Sequence, residues 1–401
     1  MDLLLFATSS NMPLVDDLLD ELKEIPTFSK SRLANMALKF HPDKEPYVEI
    51  HDNIRRGQRR KCVVIGNISS DENGSVNDHA MELFVLLDAI KRADAKIEIL
   101  LLPYLPYARQ DRRRGKETDR TAITAALFAH LIDTVAPYRR GCFVEPHDDR
   151  IQGFFKRPFE RIPVIHTFIE PILSIFDDPD KIVVVSPDRG GFERASALAT
   201  MLGTPHAIAW VDKRRTGPGE ARALQLIGEV KDLDAVLVDD MIDTAGTLCE
   251  AVNKLREEGA RRIVVCAVHG LFNGNALERI GKCGLEKIFV TSSVAQKPET
   301  LACGKVKVIP IGACSPAPST ACWQENPSAP WASRASGSHP SADASRRFFD
   351  EQPTKTYTGH IWKDSRKFIF FKSTVQAMNQ IRSKSGSRPT AQPTCRNCRP
   401  R

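Results

Sequence analysis

No stretch of the 401-residue chain comes near the roughly 18 uninterrupted apolar residues that mark a membrane-spanning helix, so no such span is expected. The opening run Leu3-Leu4-Leu5-Phe6 lacks a basic flank and is too short for the core of a secretion signal. It predicts a first β-strand and no cleaved leader. Metal-site cysteine spacing is also missing. Of ten cysteines, only Cys395 and Cys398 are spaced like ligands, and they make half a zinc site with no second half near them. Most of the others lie in or beside apolar runs and predict reduced, buried thiols. The body of the chain lacks positive charge as well. The net charge is +7, but residues 321–401 alone hold a surplus of nine, which leaves residues 1–320 at −2. A nucleic-acid surface is therefore not expected of the body, and any attraction to polyanions falls to the tail.

What is present is the composition of a soluble globular protein, 42% apolar and 27% charged, long enough for two domains. Strands apolar on both faces alternate with amphipathic helices. In the first unit the pattern predicts strands over 3–8, 47–50, 62–65, 97–102 and 142–144, with helices over 14–22, 77–93 and 121–135. In the second it predicts strands over 182–185, 206–211, 235–238, 263–268 and 287–290, with helices over 193–202 and from the 239–247 segment to 255. This is an α/β pattern: two similar domains, 1–157 and 158–312, each with a mainly parallel sheet flanked by helices. Residues 313–401 form a basic tail, rich in Ser, Pro and Ala over 314–345, expected to be largely disordered. Ligands of such sheets bind beyond the C-terminal strand ends, where the polar motifs fall.

The most specific motif follows the apolar residues 235–238: Asp239-Asp240-Met241-Ile242-Asp243-Thr244-Ala245-Gly246-Thr247. Backbone N–H groups of this small-residue loop, its Thr hydroxyls and the start of the next helix can surround a phosphate monoester. Gly246 lets the backbone approach closely. Asp239 and Asp240 repel a phosphate, so sugar hydroxyls are their better partners. Asp243, Thr244, Ala245, Gly246 and Thr247 are thus the candidate phosphate cradle. The loop is the hallmark of the phosphoribosyltransferase fold, and over residues 1–310 the chain resembles the ribose-phosphate diphosphokinase (phosphoribosyl-pyrophosphate synthetase) family.

Four further stretches carry that resemblance. Tyr107-Ala108-Arg109-Gln110-Asp111-Arg112 matches residue for residue, and the match implies that Arg109 and Gln110 bind ATP. Taken alone it reads as a solvated basic loop. His147 lies in Glu145-Pro146-His147-Asp148-Asp149-Arg150, where the family has a histidine that helps place metal-bound ATP. The flanking Pro146, Asp148 and Asp149 depart from the family. Asp188, in Ser186-Pro187-Asp188-Arg189-Gly190-Gly191, suits a hard cation such as Mg²⁺ or, more plainly, a cap for the following helix. Arg189 stands where the family usually has Ala. Lys213 and Arg215 match catalytic-loop residues that stabilise charge on the transferring group; their plain alternative is a charged surface turn. Less closely, Phe40-His41-Pro42-Asp43-Lys44-Glu45 resembles a segment that reaches a neighbouring subunit's ATP site, which implicates Phe40, Asp43 and Glu45.

The resemblance therefore implies an enzyme that moves the β,γ-diphosphoryl group of MgATP to the C1 hydroxyl of ribose 5-phosphate, releasing AMP. His147, Lys213 and Arg215 would be catalytic, His147 and Asp188 would face the Mg²⁺, and Asp239 and Asp240 would face the ribose. A cytoplasmic, dimer-based homo-oligomer, as large as a hexamer, is implied too. The alternatives are a catalytically weak paralogue that regulates an active partner, a base-specific phosphoribosyltransferase, and a nucleic-acid-binding protein using its basic tail.

Overall fold

A computed structural model describes residues 3–54, 61–113, 120–135, 137–215 and 222–311 of the chain. The 313–401 tail, with Cys395 and Cys398, lies outside the described residues. In chain order the first part holds β1 (Leu3–Ala7), α1 (Met12–Lys23), β2 (Arg32–Leu33), β3 (Met36–Phe40), β4 (Pro46–Ile50), β5 (Lys61–Ile65), α2 (Val76–Arg92), β6 (Ile97–Leu102), α3 (Thr124–Val135), β7 (Tyr138–Val144) and β8 (Phe159–Ile162). The second holds α4 (Ile169–Leu173), β9 (Ile182–Ser186), α5 (Phe192–Leu202), β10 (Ala209–Arg215), β11 (Arg222–Ile227), β12 (Asp234–Ile242), α6 (Gly246–Glu257), β13 (Arg262–Gly270), α7 (Ala276–Lys282), β14 (Lys287–Thr291), α8 (Pro298–Ala302) and β15 (Val306–Ile309).

Two sheets result. One has the order β2-β1-β5-β6-β7-β8 and all its pairs are parallel. The other runs β11-β10-β9-β12-β13-β14-β15 and is parallel except at β10–β11. The central strands are apolar throughout because both faces are covered. In β5, Cys62–Ile65 are all buried, and so are Ile182–Ser186 of β9. Helix α2 starts where a capping box forms: the Ser75 hydroxyl accepts from the Asp78 N–H while the Asp78 carboxylate accepts from the Ser75 N–H. Its buried face is Leu83, Leu86, Leu87 and Ile90, the helical spacing that the sequence shows.

The structure departs from the expected elements in several places: it adds β2, β11, β15, α4, α7 and α8 and carries β10 on to Arg215. The polar passage before residue 46 contains β3, which pairs antiparallel with β4 as a separate hairpin carrying Phe40, Asp43 and Glu45 at and beyond its turn. Strand β8 joins the first sheet by pairing with β7, so that sheet runs past the expected join at 157. Strand β12 continues through Asp239 and Asp240 to Ile242 instead of stopping at 238, because its parallel pairing with β13 continues to Ile242–Gly270. All the described residues fall in one compact unit. One apolar cluster unites Leu3, Leu5, Val63 and Val144 of the first sheet with Ile182, Val236 and Val264 of the second, bridged by Phe168, Ile172 and Phe176.

Candidate functional site

The two sheets meet at the C-terminal ends of their strands, and polar side chains cross from one to the other there. His147, just past β7, places Nδ1 2.7 Å from Oδ2 of Asp240 on β12. Arg109, past β6, donates to Asp243 at the end of the cradle strand. Asn11 Nδ2 donates to the Ser292 carbonyl at 2.9 Å. Asn11 also takes the left-handed backbone (φ 56) at the start of α1, a conformation asparagine tolerates and glycine would otherwise supply. His269, at the end of β13, is fully enclosed and donates from Nε2 to the Glu145 carbonyl at 3.0 Å.

The adjacent carboxylates of β12 face different partners. Asp240 turns to His147. Asp239 accepts from the Asp240 N–H at 2.8 Å and lies 3.9 Å from Arg194 of α5. Their protonation follows. Burial and the neighbouring Asp240 charge push the Asp239 carboxyl well above the ordinary carboxylate range. Burial also works to raise Asp240, but the hydrogen bond to His147 and the charge of Arg194 overcome it and hold that carboxyl well below the range. One site therefore pairs a carboxyl shifted up with a neighbouring carboxyl shifted down.

The cradle follows at once. Asp243 is held by Arg109 and, at 2.7 Å, by the Asn273 amide. Ala245 takes the left-handed region (φ 57), and Gly246 opens α6. That helix has no side-chain cap and no acid in its first turn, so its leading N–H groups and positive dipole end face the loop. Arg279 of α7 donates to the Thr244 carbonyl at 2.9 Å and sets the loop's far wall. Thr247 lies in the first turn of α6. A methyl at Gly246 would meet nothing closer than Arg279 Nη1 at 3.4 Å. Gly246→Ala is therefore expected to leave the melting temperature unchanged yet raise the KM for a sugar phosphate about tenfold, the order of one lost hydrogen bond to a charged group. A comparison of melting curves with steady-state kinetics checks both halves.

Asp188 does not cap α5, whose N-cap is Gly191 with no side-chain cap; its Oδ1 instead accepts from the Gly190 N–H (2.8 Å) and the Gly191 N–H (3.1 Å), ordering the turn before the helix. Arg189, the departure from the family pattern, points to Asp212 at 3.4 Å and is largely exposed. Asp148 pairs with Arg150, whose bond brings its carboxyl down to about 2, and Asp149 pairs with Arg161 at 2.7 Å. These acids are thus engaged locally, with Asp148 also held down by the charge of His147. Pro146 follows Glu145, which is forced to a positive φ of 32. Glu145 is held there by its own buried carboxylate on the Val164 N–H and by the His269 bond to its carbonyl.

Of the expected residues, the structure brings together Arg109, His147, Asp239, Asp240, Asp243, Thr244, Ala245, Gly246 and Thr247. The Gln110 carbonyl accepts from the Ala125 N–H, tying its loop to α3. Among the described residues, Phe40, Asp43 and Glu45 make no hydrogen bond or ion pair to this cluster, and Phe40 is half exposed. Lys213 and Arg215 lie on β10; their side chains are outside the described part of the structure. Sequence reasoning missed Arg194, His269, Asn273 and Arg279. His269 had the same signal as His147, a lone histidine ending an apolar strand. Arg194 and Arg279 gave none beyond helical position.

Comparison with known proteins agrees with this geometry. A family model for the N-terminal domain of ribose phosphate pyrophosphokinase matches residues 3–135, and one for the phosphoribosyl synthetase-associated domain matches residues 208–315. The ribose-phosphate pyrophosphokinase of Bacillus subtilis is 37% identical over 314 residues, covering 78% of this chain and 91% of the relative. That of Bacillus caldolyticus is 39% identical over 298 residues, covering 74% and 87%. The crystal structure of phosphoribosylpyrophosphate synthetase from Mycobacterium smegmatis superposes with a TM-score of 0.66 at 31% identity, covering 78% of this chain and 95% of that one.

Proposed function

The chain belongs to the ribose-phosphate pyrophosphokinase family and transfers a diphosphoryl group from ATP to ribose 5-phosphate, and we propose how its cleft divides that work. The observation that carries the division is the 2.7 Å contact between His147 of one sheet and Asp240 of the other. Ribose 5-phosphate sits on the Asp240 side, its phosphate in the loop Asp243–Thr247. ATP sits on the His147 side, against Arg109 and Gln110. The C1 hydroxyl attacks the β-phosphorus, the bond from that phosphorus to the α,β-bridging oxygen breaks, and AMP leaves. Such a transfer needs alignment and charge neutralisation more than a protein nucleophile. Asp239 and Asp240 address the ribose hydroxyls, Asp240 as an acceptor. Arg109, bound to Asp243 here, supplies positive charge at the junction of the two substrates, and Lys213 and Arg215 supply it from β10.

Among the described residues, no three His, Cys, Asp or Glu side chains gather into a cage for a metal. Mg²⁺ takes one or two carboxylates and completes its shell with water and phosphate oxygens. Asp188 and His147 would hold it, and bound Mg²⁺ would neutralise the diphosphoryl charge. Asp188 can order the turn and serve as a ligand at once, because Oδ1 takes both loop N–H groups. Asp188→Asn keeps that acceptor and loses the charge. It is expected to keep its melting temperature and need about tenfold more Mg²⁺ for half-saturation. Asp188→Ala should lose both properties. Equal melting losses in the two variants would make Asp188 structural only.

Among the described residues no helix is long and apolar enough to cross a membrane. A cytoplasmic setting accords with substrates that are soluble phosphorylated metabolites. The exposure of Phe40 on the β3–β4 hairpin supports a homo-oligomer in which that hairpin, with Asp43 and Glu45, serves a neighbour's ATP. Purified protein given MgATP and ribose 5-phosphate should form AMP and 5-phosphoribosyl 1-diphosphate in equal amounts. AMP without the sugar product would overturn the acceptor half of the reading.

A further inference from the structure

His269 stands on β13 beside the strand that carries the paired carboxylates. Its register partner on β12 is Met241, the residue after Asp240. Its side chain crosses to the first sheet, where Nε2 donates to the Glu145 carbonyl at 3.0 Å, two residues before His147. The ring also meets Tyr104 edge to face, with centroids 5.1 Å apart and planes at 66°. Tyr104 is buried in the turn that leaves β6 and leads to Arg109. One imidazole of the second sheet therefore touches both first-sheet segments that carry the ATP-side residues.

The ring has one orientation and one tautomer. It is 1% exposed, and a carbonyl oxygen only accepts, so Nε2 carries the proton. Nδ1 then accepts from the Ser293 hydroxyl at 2.8 Å. Ser293 is itself fixed, since its N–H donates to Thr291 Oγ1 (3.2 Å), and Thr291 Oγ1 donates to the Val268 carbonyl (2.7 Å). Burial brings the imidazole down to about 4, which keeps it in this form near neutrality. What it holds is strained: Glu145 has a φ of 32, a region that side chains rarely adopt, and Pro146 follows. On its other side, the Glu145 carboxylate accepts from the Val164 N–H at 3.0 Å and pairs with Arg161 at 3.0 Å.

We propose that His269 is a positioning residue for the ATP side of the cleft. Through the Glu145 carbonyl it sets the backbone that aims His147 at Asp240, and through Tyr104 it seats the turn that presents Arg109. Being enclosed, it reaches substrate only through these neighbours. Loss of its bond frees a strained peptide two residues from His147, and a displacement of about 1 Å at a reacting group costs on the order of 10²-fold in rate. The same chain runs on to Asn273, whose side-chain amide and backbone N–H hold Asp243 at 2.7 and 2.9 Å. The phosphate side therefore keeps an anchor of its own when His269 is changed. The assignment rests on the reading of His147 and Arg109 as the ATP side.

Two replacements in the full chain separate the hydrogen bond from the packing. Glutamine reaches as far as Nε2 and keeps a donor for Glu145; asparagine reaches only as far as Nδ1 and keeps the Ser293 contact alone. Both lose the ring, so both should melt lower by similar amounts. In His269→Asn the KM for MgATP should rise about tenfold and kcat should fall about tenfold, while the KM for ribose 5-phosphate stays within about twofold. His269→Gln should return both altered values to within about threefold of the parent. Equal kinetic losses in the two variants, a KM rise shared by both substrates, or a fall in kcat alone would overturn the proposal and leave His269 a packing residue. Should neither variant fold, Ser293→Ala decides. It removes the hydroxyl that orients the ring and should raise the KM for MgATP about threefold, and an unchanged value would overturn the proposal. His147→Ala tests the reading beneath it: its KM for MgATP should rise at least as far as that of His269→Asn. An unchanged value there would overturn the ATP-side placement itself, apart from the comparison of glutamine with asparagine.

Discussion

Replacing Lys213 with alanine is expected to lower kcat by about 10²–10³-fold, the usual cost of removing one preorganised donor from a developing charge. The fold gives the reason for choosing this residue. Strand β10 pairs with β9 only at Ala209–Val185 and Trp210–Ser186; from Val211 onward its partner is β11 alone. Lys213 and Arg215 therefore ride on a two-stranded ribbon that leaves the sheet. Such a ribbon is marginal by itself, so it can take up its working position against bound substrate and give it up on release. An interaction made only in the transition state lowers kcat and kcat/KM together and leaves the KM for ribose 5-phosphate within a few-fold. Steady-state kinetics of the variant decide this. An unchanged kcat would remove Lys213 from the chemistry, and a raised KM alone would make it a binding residue.

The second large effect is an asymmetry between neighbours. Asp240→Asn should cost about 10²–10³-fold in kcat/KM, because a neutral amide cannot hold His147 as the anion does. Asp239→Asn should stay within about tenfold of the parent, since an amide still donates to a hydroxyl and its oxygen still accepts from the Asp240 N–H. The same substitution should raise the melting temperature by a few degrees at neutral pH. The sign follows from linkage. Asp239 holds its proton more tightly folded than unfolded, so it does not burden the native state below the ordinary value of 3.8. It becomes a growing burden as pH rises from there toward its raised folded value. The gain from Asp239→Asn should accordingly be absent in acid and grow as pH rises. Asp240, held low, acts the opposite way: its contribution is present above the ordinary carboxylate range and is lost as pH falls toward its depressed value. Equal activity losses in the two variants, or a melting gain independent of pH, would sink the division of roles.

Much of this was legible in the sequence, for identifiable reasons. Buried parallel strands such as β5, β9 and β13 are apolar throughout, so their existence follows from composition alone. The loop between β12 and α6 was legible because Gly246 and its small neighbours end a strand and open a helix. The end of β12 was not. Asp239 and Asp240 look like loop residues, yet pairing with β13 outweighs their low strand propensity. Strand β3 was hidden because its hairpin is polar and partly exposed, which erases alternation. The opposite fates of Asp239 and Asp240 depend on Arg194 and His147, which are distant in sequence and meet only when the two sheets dock.

That docking has a consequence for the chain as a covalent object. The cluster running from Leu3 and Val144 to Ile182 and Val264 leaves neither sheet with a complete interior of its own. Fragments cut between β8 and α4 should therefore be poorly stable apart and should reassemble when mixed. Recovered catalysis would then serve as a direct assay of their complementation, since each fragment carries one partner of the His147–Asp240 contact.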